Sequence, residues 1–505
     1  MWEETDFVGN MIKLNTGLSL YTSPADSNSM IYNPLSFLAT YAIAWTIGET
    51  RSIAILRSIQ LGYVTLAAAF ATQCTRMLYG LANPRNKIRF STTWMVLTFL
   101  SMFLLATAPF VNKFVLSLHV DALSLLISVF SFWAMLKYGQ SPTARNLVVL
   151  ALCPAIGFLT KQFLISWAAV IVVFLIFLDP KNIKRAGLFI FLSGIFLLAA
   201  FGVCYVFWGD NYYFWAFQIM GARRGIAISP DTYGISIVRG IDHILRAWPE
   251  IFVGVIGGWL LLRQENRRRI GPIIFAWLVL VASEAFSSGA GWGVIYHFGP
   301  GALIGATFMF AALPFIWQRE LDNDVVEPPG RRWAKGLLLL ASVLAIFTAW
   351  HVVPTGDKEN PRYFRAETRS PDVNRYVAQI EGEFVGYDPR KVLLDVGSWV
   401  YLPSDVLQKD RAVSLGDQPP AGIYENIDET VERVRSRTYS KILVHDFHSQ
   451  FLLYDWGAWP KSSGFRDALL TNYKEVRIIE SPNGYPSPSF QISNAGPVSV
   501  FELKN

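Results

Sequence analysis

Long apolar runs separated by short polar loops dominate the first 353 residues. The runs lie near 58–75, 91–110, 122–136, 147–160, 163–178, 186–207, 248–262, 270–286, 298–316 and 336–353. A helix needs about 20 mostly apolar residues to cross a hydrocarbon core of about 30 Å, so these runs predict membrane spans, some of them tilted or broken. The segment 34–48 is also apolar but contains Pro34, and it is interpreted as either an eleventh span or a helix lying in the interface.

Composition agrees with a polytopic α-helical membrane protein. The chain is 52% hydrophobic and 16% charged, whereas soluble domains average about 25% charged residues. The net charge of +6 is attributed to basic cytoplasmic loops, and nucleic acid is not expected as a partner. Cys74, Cys153 and Cys204 all lie in apolar runs without CxxC spacing, which argues against a disulfide framework or a thiolate metal site.

Basic residues set the predicted orientation. If 34–48 does not cross, the loops at 76–89, 137–145, 181–185, 263–269 and 319–335 share one side of the membrane and together hold 17 Lys and Arg residues. The opposite loops between spans hold six. The positive-inside bias therefore assigns the first set to the cytoplasm and the C-terminal tail to the outside of a bacterial or archaeal plasma membrane. An outer N-terminus usually follows a span, so either an upstream segment is missing or the N-terminus is translocated without one.

The composition changes after residue 353. Residues 354–505 are polar and rich in turn-forming Pro and Gly, which separates them from the membrane domain at 1–353. The segments 392–396 and 442–446 are predicted to be buried strands, and 426–440 an amphipathic helix between them. A strand, helix and strand at this spacing indicate an extracytoplasmic soluble α/β domain.

Acidic residues precede the first spans in what is predicted to be an outer loop at 1–57. A carboxylate can take or orient the proton of an attacking hydroxyl, and Asp6 is the first candidate, with Glu3 and Glu4 in reserve. A solvated chain terminus is the alternative. Asp121 opens a later run, where it either caps the helix or orients Asp6, the acceptor or a cation. His119 is interpreted as a ligand or as an interface residue.

Basic residues on the same predicted side indicate an anionic ligand. Lys161 lies between two apolar runs, where an ammonium group is costly unless it reaches water or an anion. Snorkelling to the interface and pairing with a lipid phosphate both remain open. Gln162 is taken as a substrate-binding neighbour. Arg223 and Arg224 could serve the same anion or form a solvated charge pair.

Aromatic residues supply further candidate binding groups. Tyr21 and Tyr32 lie in the predicted outer loop, and Tyr296 and His297 follow a glycine-rich segment at 289–293. Aromatic side chains at this depth could stack on a sugar or belong to the aromatic belt of a membrane protein. The sequence contains no P-loop, HExxH or GxSxG motif, and no metal-ligand set is evident, although a divalent metal remains possible.

The order of these elements resembles the GT-C superfamily of integral-membrane glycosyltransferases, in particular the protein O-mannosyltransferases and aminoarabinose transferases. The resemblance covers about residues 1–350. The matching elements are Asp6, the G-x-x-x-Y element from Gly17 to Tyr21, the Y-x-P-L element from Tyr32 to Leu35, Asp121, and the L-x-K element from Leu159 to Lys161.

The resemblance implies a GT-C-like membrane domain, for which the apolar runs predict about 10–11 spans. It also implies inverting transfer from a polyprenyl- or dolichyl-phosphate sugar to a glycan, lipid or protein acceptor on the outer face, with Asp6 as the catalytic carboxylate. No cofactor is expected, although metal use varies in the group. Two other functions stay open, namely a transporter or flippase and a non-catalytic subunit handling lipid-linked glycans.

Overall fold

The structure is a computed structural model, and it describes most of the apolar region and the secondary structure of the C-terminal region. The described residues are 5–17, 19–23, 29–82, 92–108, 118–179, 183–219, 238, 240–242, 244–245, 247–264, 266–289, 298–321, 371–383, 385–387, 391–395, 427–445, 447–448, 464–480 and 497–504. The predicted span at 336–353 lies outside them.

Helices account for the apolar region. They are α1 (Thr5–Thr16), α2 (Leu35–Ile47), α3 (Ile53–Ala82), α4 (Thr92–Ala106), α5 (Asp121–Gln140), α6 (Ala144–Thr160), α7 (Trp167–Leu178), α8 (Ile183–Tyr213), α9 (Trp248–Leu262), α10 (Arg267–Gly289) and α11 (Gly299–Leu321). A 3-10 helix at Gln162–Ser166 precedes α7, and a π-helical turn at Phe214–Ile219 follows α8. Each predicted span between residues 58 and 316 overlaps one of these helices.

The bundle is that of an integral membrane protein. Among the described residues, α3, α5, α8 with its following turn, and α10 are long and apolar enough to cross a membrane. Shorter apolar helices pack between them. Large apolar side chains on α8 point away from the protein, including Leu198, Phe207 and Val206, which is 83% exposed. Such side chains are stable facing hydrocarbon and costly facing water.

The region before α3 differs from the predicted outer loop at 1–57. It contains α1 and α2, and α3 begins at Ile53. Helix α1 escaped prediction because polar residues interrupt its sequence, although Phe7 and Met11, one turn apart, are both buried. Helix α2 has 13 residues and a length of about 20 Å, which is short for a hydrocarbon core of about 30 Å.

Close backbone contact joins α9 to α11. Gly254 lies against Gly305, and Gly257 against Met309, so the two helices run parallel. A side chain at Gly257 would collide with the backbone of α11, because its Cβ atom would lie 2.6 Å from the Met309 Cα atom. Glycine is required where two backbones come this close.

The C-terminal region forms a small α/β domain. Its elements are α12 (Pro371–Gly382), β1 (Val392–Asp395), α13 (Ile427–Arg435), β2 (Lys441–His445), α14 (Phe465–Asn472), β3 (Tyr473–Ile479) and β4 (Val498–Leu503). The strand order is β1-β2-β4-β3, with β1 parallel to β2 and the other pairs antiparallel. The predicted strand, helix and strand are confirmed as β1, α13 and β2.

A buried tyrosine ties the sheet to the segment before β2. The Tyr473 hydroxyl donates to the Tyr439 carbonyl oxygen over 2.9 Å. Burial raises the pKa of Tyr473 to about 12, because the phenolate would lose its hydration.

Candidate functional site

A buried ion pair lies at one end of the helical bundle, which we call the site end. Asp121 is the first residue of α5, and Lys161 directly follows α6. The Lys161 Nζ atom lies 2.5 Å from Asp121 Oδ1. Lys161 is only 8% exposed, so its ammonium group is held inside the protein. Snorkelling to water is therefore not its role.

Local backbone geometry places both charges. Val120, not Asp121, occupies the cap position of α5, and no side chain caps that end. The capping interpretation of Asp121 is thus wrong. Lys161 has an extended backbone (φ −155°, ψ 126°) between α6 and the 3-10 helix. This break in the helical path separates Lys161 from both helices and lets its side chain reach Asp121.

His119 lies on the other oxygen of the same carboxylate. Its Nδ1 atom is 3.0 Å from Asp121 Oδ2, within the range of an ion pair when the imidazole is protonated. The Tyr32 ring meets the His119 ring edge to face, with centroids 6.1 Å apart. One carboxylate oxygen therefore holds Lys161, and the second lies beside the His119 ring.

Two hydrogen bonds hold the segment before α2 to residues on either side of Lys161 in the sequence. The Asn33 side-chain amide donates to the Phe158 carbonyl oxygen. Gln162 Nε2 donates to the Ile31 carbonyl oxygen over 2.9 Å. These two bonds bring the Y-x-P-L element to the Asp121–Lys161 pair, although about 130 residues of chain separate them.

Tyr21 links the segment after α1 to the Y-x-P-L element. Helix α1 ends at a turn in which Gly17 has φ +72°, a value that glycine adopts without strain. The Tyr21 hydroxyl then donates to the Tyr32 carbonyl oxygen over 2.6 Å. The Tyr21 ring packs edge to face on Trp208 and Tyr212, each with a centroid distance of 5.1 Å.

The end of α8 supplies contacts that the sequence did not predict. The Tyr212 hydroxyl donates to Asn33 Oδ1 over 3.0 Å, and the Trp215 indole N–H donates to the Thr22 carbonyl oxygen over 2.9 Å. Asn33 lies within a recognised motif. In the sequence, Tyr212 and Trp215 resemble ordinary interface aromatic residues, and no pattern singled them out.

The structure brings together five of the residues proposed from sequence. They are Tyr21, Tyr32, Asp121, Lys161 and Gln162. Asp6 lies in the first turn of α1, and its side chain is outside the described part of the chain. The remaining candidates also lie outside it, namely Glu3, Glu4, Arg223, Arg224, Tyr296 and His297. The roles assigned to all of these residues stay predictions.

The cluster has the chemistry of an anion site. An ammonium group has three N–H donors, and Lys161 donates one of them to Asp121. Lys161 thus presents a buried positive group at a break between two apolar helices. No group of three or more His, Cys, Asp or Glu residues arranged to hold a metal occurs in the described ranges. Metal dependence stays a prediction.

Comparison with known proteins identifies the fold. No family model matches the sequence, and no curated protein matches it. The ArnT structure from Cupriavidus metallidurans bound to undecaprenyl phosphate is similar over 99% of this chain and 93% of its own, with 12% identity and a TM-score of 0.59. The apo oligosaccharyltransferase of Archaeoglobus fulgidus is similar over 97% of this chain and 71% of its own, with 12% identity and a TM-score of 0.51.

The chain has the GT-C fold expected from the sequence, with a small C-terminal α/β domain. The fold prediction is confirmed. At 12% identity the similarity concerns the fold alone, and the chemistry must be argued from the residues of this chain.

Proposed function

We propose that this protein is a glycosyltransferase that moves a sugar from a polyprenyl-phosphate donor to an acceptor on the outer face of the membrane. The observation that carries the proposal is the buried ammonium group of Lys161, held by Asp121 at the end of apolar helices. The fold supports it, because a protein of the same fold has been seen with undecaprenyl phosphate.

Lys161 is assigned to the donor phosphate. In the transition state negative charge grows on the leaving phosphate, and an ammonium group beside it stabilises that charge without having to reorganise. A hydrogen bond to a charged group contributes about 1.5–3 kcal/mol. Lys161 can donate to the phosphate while it keeps its bond to Asp121.

Asp121 is assigned as a positioning residue. Its carboxylate fixes the Lys161 side chain in one rotamer and balances its charge when no donor is bound. A buried lysine without a counter-charge would tend to lose its proton. Asp121 therefore keeps the ammonium charged and in place before the donor arrives.

The acceptor reaction is assigned to Asp6. The acceptor oxygen attacks the anomeric carbon, the bond from that carbon to the phosphate oxygen breaks, and polyprenyl phosphate leaves with the bonding electrons. Asp6 accepts the hydroxyl proton. A single displacement of this kind inverts the anomeric centre. Tyr21 and Tyr32 are assigned to the walls that orient the sugar.

Release of polyprenyl phosphate tests the proposal. Purified protein is given a radiolabelled polyprenyl-phosphate sugar, with cell-envelope extract as the source of acceptor. We expect the wild type to transfer label and Asp6→Asn to lose at least about a hundredfold in rate, the low end of what general-base catalysis contributes. Asp467→Asn, an exposed acid of the C-terminal domain, is the matched control.

Two results would contradict the proposal. Full activity in Asp6→Asn would remove the base from that position. A wild type that binds or moves the labelled lipid but releases no polyprenyl phosphate would be a transporter or a non-catalytic subunit.

A further inference from the structure

Four exposed arginines gather on the turn between α9 and α10, at the end of the bundle opposite the site end. Helix α7 starts shortly after Lys161 and runs away from it. Phe177, near the far end of α7, packs on Phe275, about two turns into α10, with ring centroids 4.7 Å apart. Helix α10 therefore begins at the far end. The arginines are Arg263, Arg267, Arg268 and Arg269, and we call the segment 263–269 the arginine turn.

The arginine turn is compact and anchored to a third helix. The Arg263 N–H donates to the Leu260 carbonyl oxygen over 3.3 Å, which closes the end of α9. The Asn266 side-chain amide donates to the carbonyl oxygen of Leu81, near the end of α3, over 3.0 Å. The Asn266 carbonyl oxygen accepts the N–H of Arg269 over 3.0 Å as α10 begins. The four charges are thus carried by backbone that three helices hold in place.

No acid neutralises these four arginines in the described part of the chain. Every ion pair found there joins other residues. Arg185, by contrast, lies 3.8 Å from Asp179 where α7 gives way to α8. Glu265, the one acid in the sequence of the turn, lies outside the described residues. So many cations close together repel one another, and an anion at the turn would relieve that repulsion.

Apolar and aromatic residues lie next to the charges. The Arg263 Cζ atom is 3.8 Å from the centroid of the Trp259 ring, a cation–π contact. Trp259 is exposed, and tryptophan favours the boundary between headgroups and hydrocarbon. Farther along α9, Val255 and Phe252 are exposed as well. An apolar face that ends in a tryptophan and then in arginines suits a surface where acyl chains meet charged headgroups.

The arginines of α10 spread over the outer side of that helix. Ile270 is completely buried and faces the protein. Because successive residues of a helix turn by about 100°, Arg268 points away from the core, with Arg267 and Arg269 on its two flanks. A small soluble anion would need donors that converge on one point. Donors that fan outwards suit the headgroups of adjoining lipids instead.

We propose that the arginine turn binds the headgroups of anionic phospholipids, on the side of the membrane opposite the proposed transfer site. Basic clusters beside membrane helices recognise anionic lipids through the summed attraction of their charges. Guanidinium groups suit a phosphodiester because two parallel N–H donors can face two of its oxygens. The proposal does not depend on the glycosyl-transfer reaction.

Lipid binding by the full-length chain tests the proposal. Protein purified in a neutral detergent is titrated separately with phosphatidylglycerol and with phosphatidylcholine of the same acyl chains, and bound lipid is counted by native mass spectrometry. We expect the wild type to bind phosphatidylglycerol at least about tenfold more tightly. The double variant Arg268→Gln, Arg269→Gln should bind it about 25-fold more weakly than the wild type, because each arginine contributes about fivefold.

Arg145→Gln is the matched control. Helix α5 starts at Asp121 and α6 ends just before Lys161, so Arg145, at the start of α6, lies at the same far end of the bundle. It is exposed but lies outside the arginine turn. Its affinity for phosphatidylglycerol should stay within about twofold of the wild type, since salt screens charges that do not contact the headgroup. Arg268→Lys with Arg269→Lys should lose less than the glutamine variant, because the charge remains.

Three outcomes would overturn the proposal. They are equal affinity of the wild type for the two lipids, an equal loss in Arg145→Gln and the double glutamine variant, or displacement of phosphatidylglycerol by an equal concentration of soluble glycerol phosphate. The first would remove the preference for anionic lipid, the second would leave only diffuse charge, and the third would make this a site for a soluble anion. The wild-type comparison decides the matter even if a variant fails to fold. Because no sugar donor is present, failure here would leave the transfer assay unaffected.

Discussion

Asp121 and Glu284 are both buried carboxyl groups at the same end of the bundle, but they are neutralised in different ways. Asp121 has the Lys161 ammonium at 2.5 Å and the His119 ring at 3.0 Å. Glu284, on α10, accepts one backbone N–H, that of Gly301. The first cluster carries its own counter-charge and can offer a positive group to a ligand. The second has no ion-pair partner among the described residues, so the two buried acids differ in what stabilises them.

The largest expected effect comes from breaking the Asp121–Lys161 pair. Lys161→Met leaves a buried carboxylate without its cation, and removing one partner of a buried pair costs about 3–5 kcal/mol of unfolding free energy. The double variant Lys161→Met, Asp121→Asn should recover most of that loss, because neither charge remains. Unfolding of all four proteins in detergent, analysed as a double-mutant cycle, measures the coupling.

Glu284→Gln is the matched test for the buried acid that has no ion-pair partner among the described residues. Its cost should stay below about 1 kcal/mol, because the amide oxygen keeps the Gly301 hydrogen bond and no ion pair is broken. If Glu284→Gln cost as much as Lys161→Met, the two acids would be compensated alike and the comparison would be wrong.

An intermediate effect is expected from the contact that sets the spacing of α9 and α11. Gly257→Ala forces a Cβ atom against the Met309 backbone, and overpacking of this kind costs about 1–3 kcal/mol. Gly258→Ala is the matched control, because its Cβ atom would meet only the Ile274 side chain, 3.2 Å away. Equal stability of the two variants would show that the helices can separate freely.

The smallest effect is expected for a buried polar group of the C-terminal domain that is paired with a carbonyl. Tyr473→Phe removes one hydrogen bond and should cost about 1 kcal/mol. Because the folded pKa of about 12 exceeds the ordinary tyrosine pKa of about 10, the stability from protonated Tyr473 is complete below pH 10 and is lost as the pH rises towards 12. Unfolding measured across that range should therefore be less pH-dependent in the Phe variant. Parallel pH profiles would contradict the assignment.

The sequence predicted the long helices well because membrane spans leave a strong signal in hydropathy. It also singled out Asp121 and Lys161, since charges at the ends of apolar runs are conspicuous. It missed α1, whose polar residues conceal a buried stripe, and Glu284, which has apolar residues on both sides. The contacts of Asn33 with Phe158 and Tyr212 depend on long-range packing and leave no local pattern.

The most direct test of the central claim is binding of undecaprenyl phosphate by the wild type and by the double variant Lys161→Met, Asp121→Asn. The double variant should fold, so it separates phosphate recognition from stability. We predict that its dissociation constant rises at least about tenfold, because a charge-assisted hydrogen bond worth about 1.5–3 kcal/mol is lost. An unchanged dissociation constant would contradict the assignment of Lys161 to the donor phosphate.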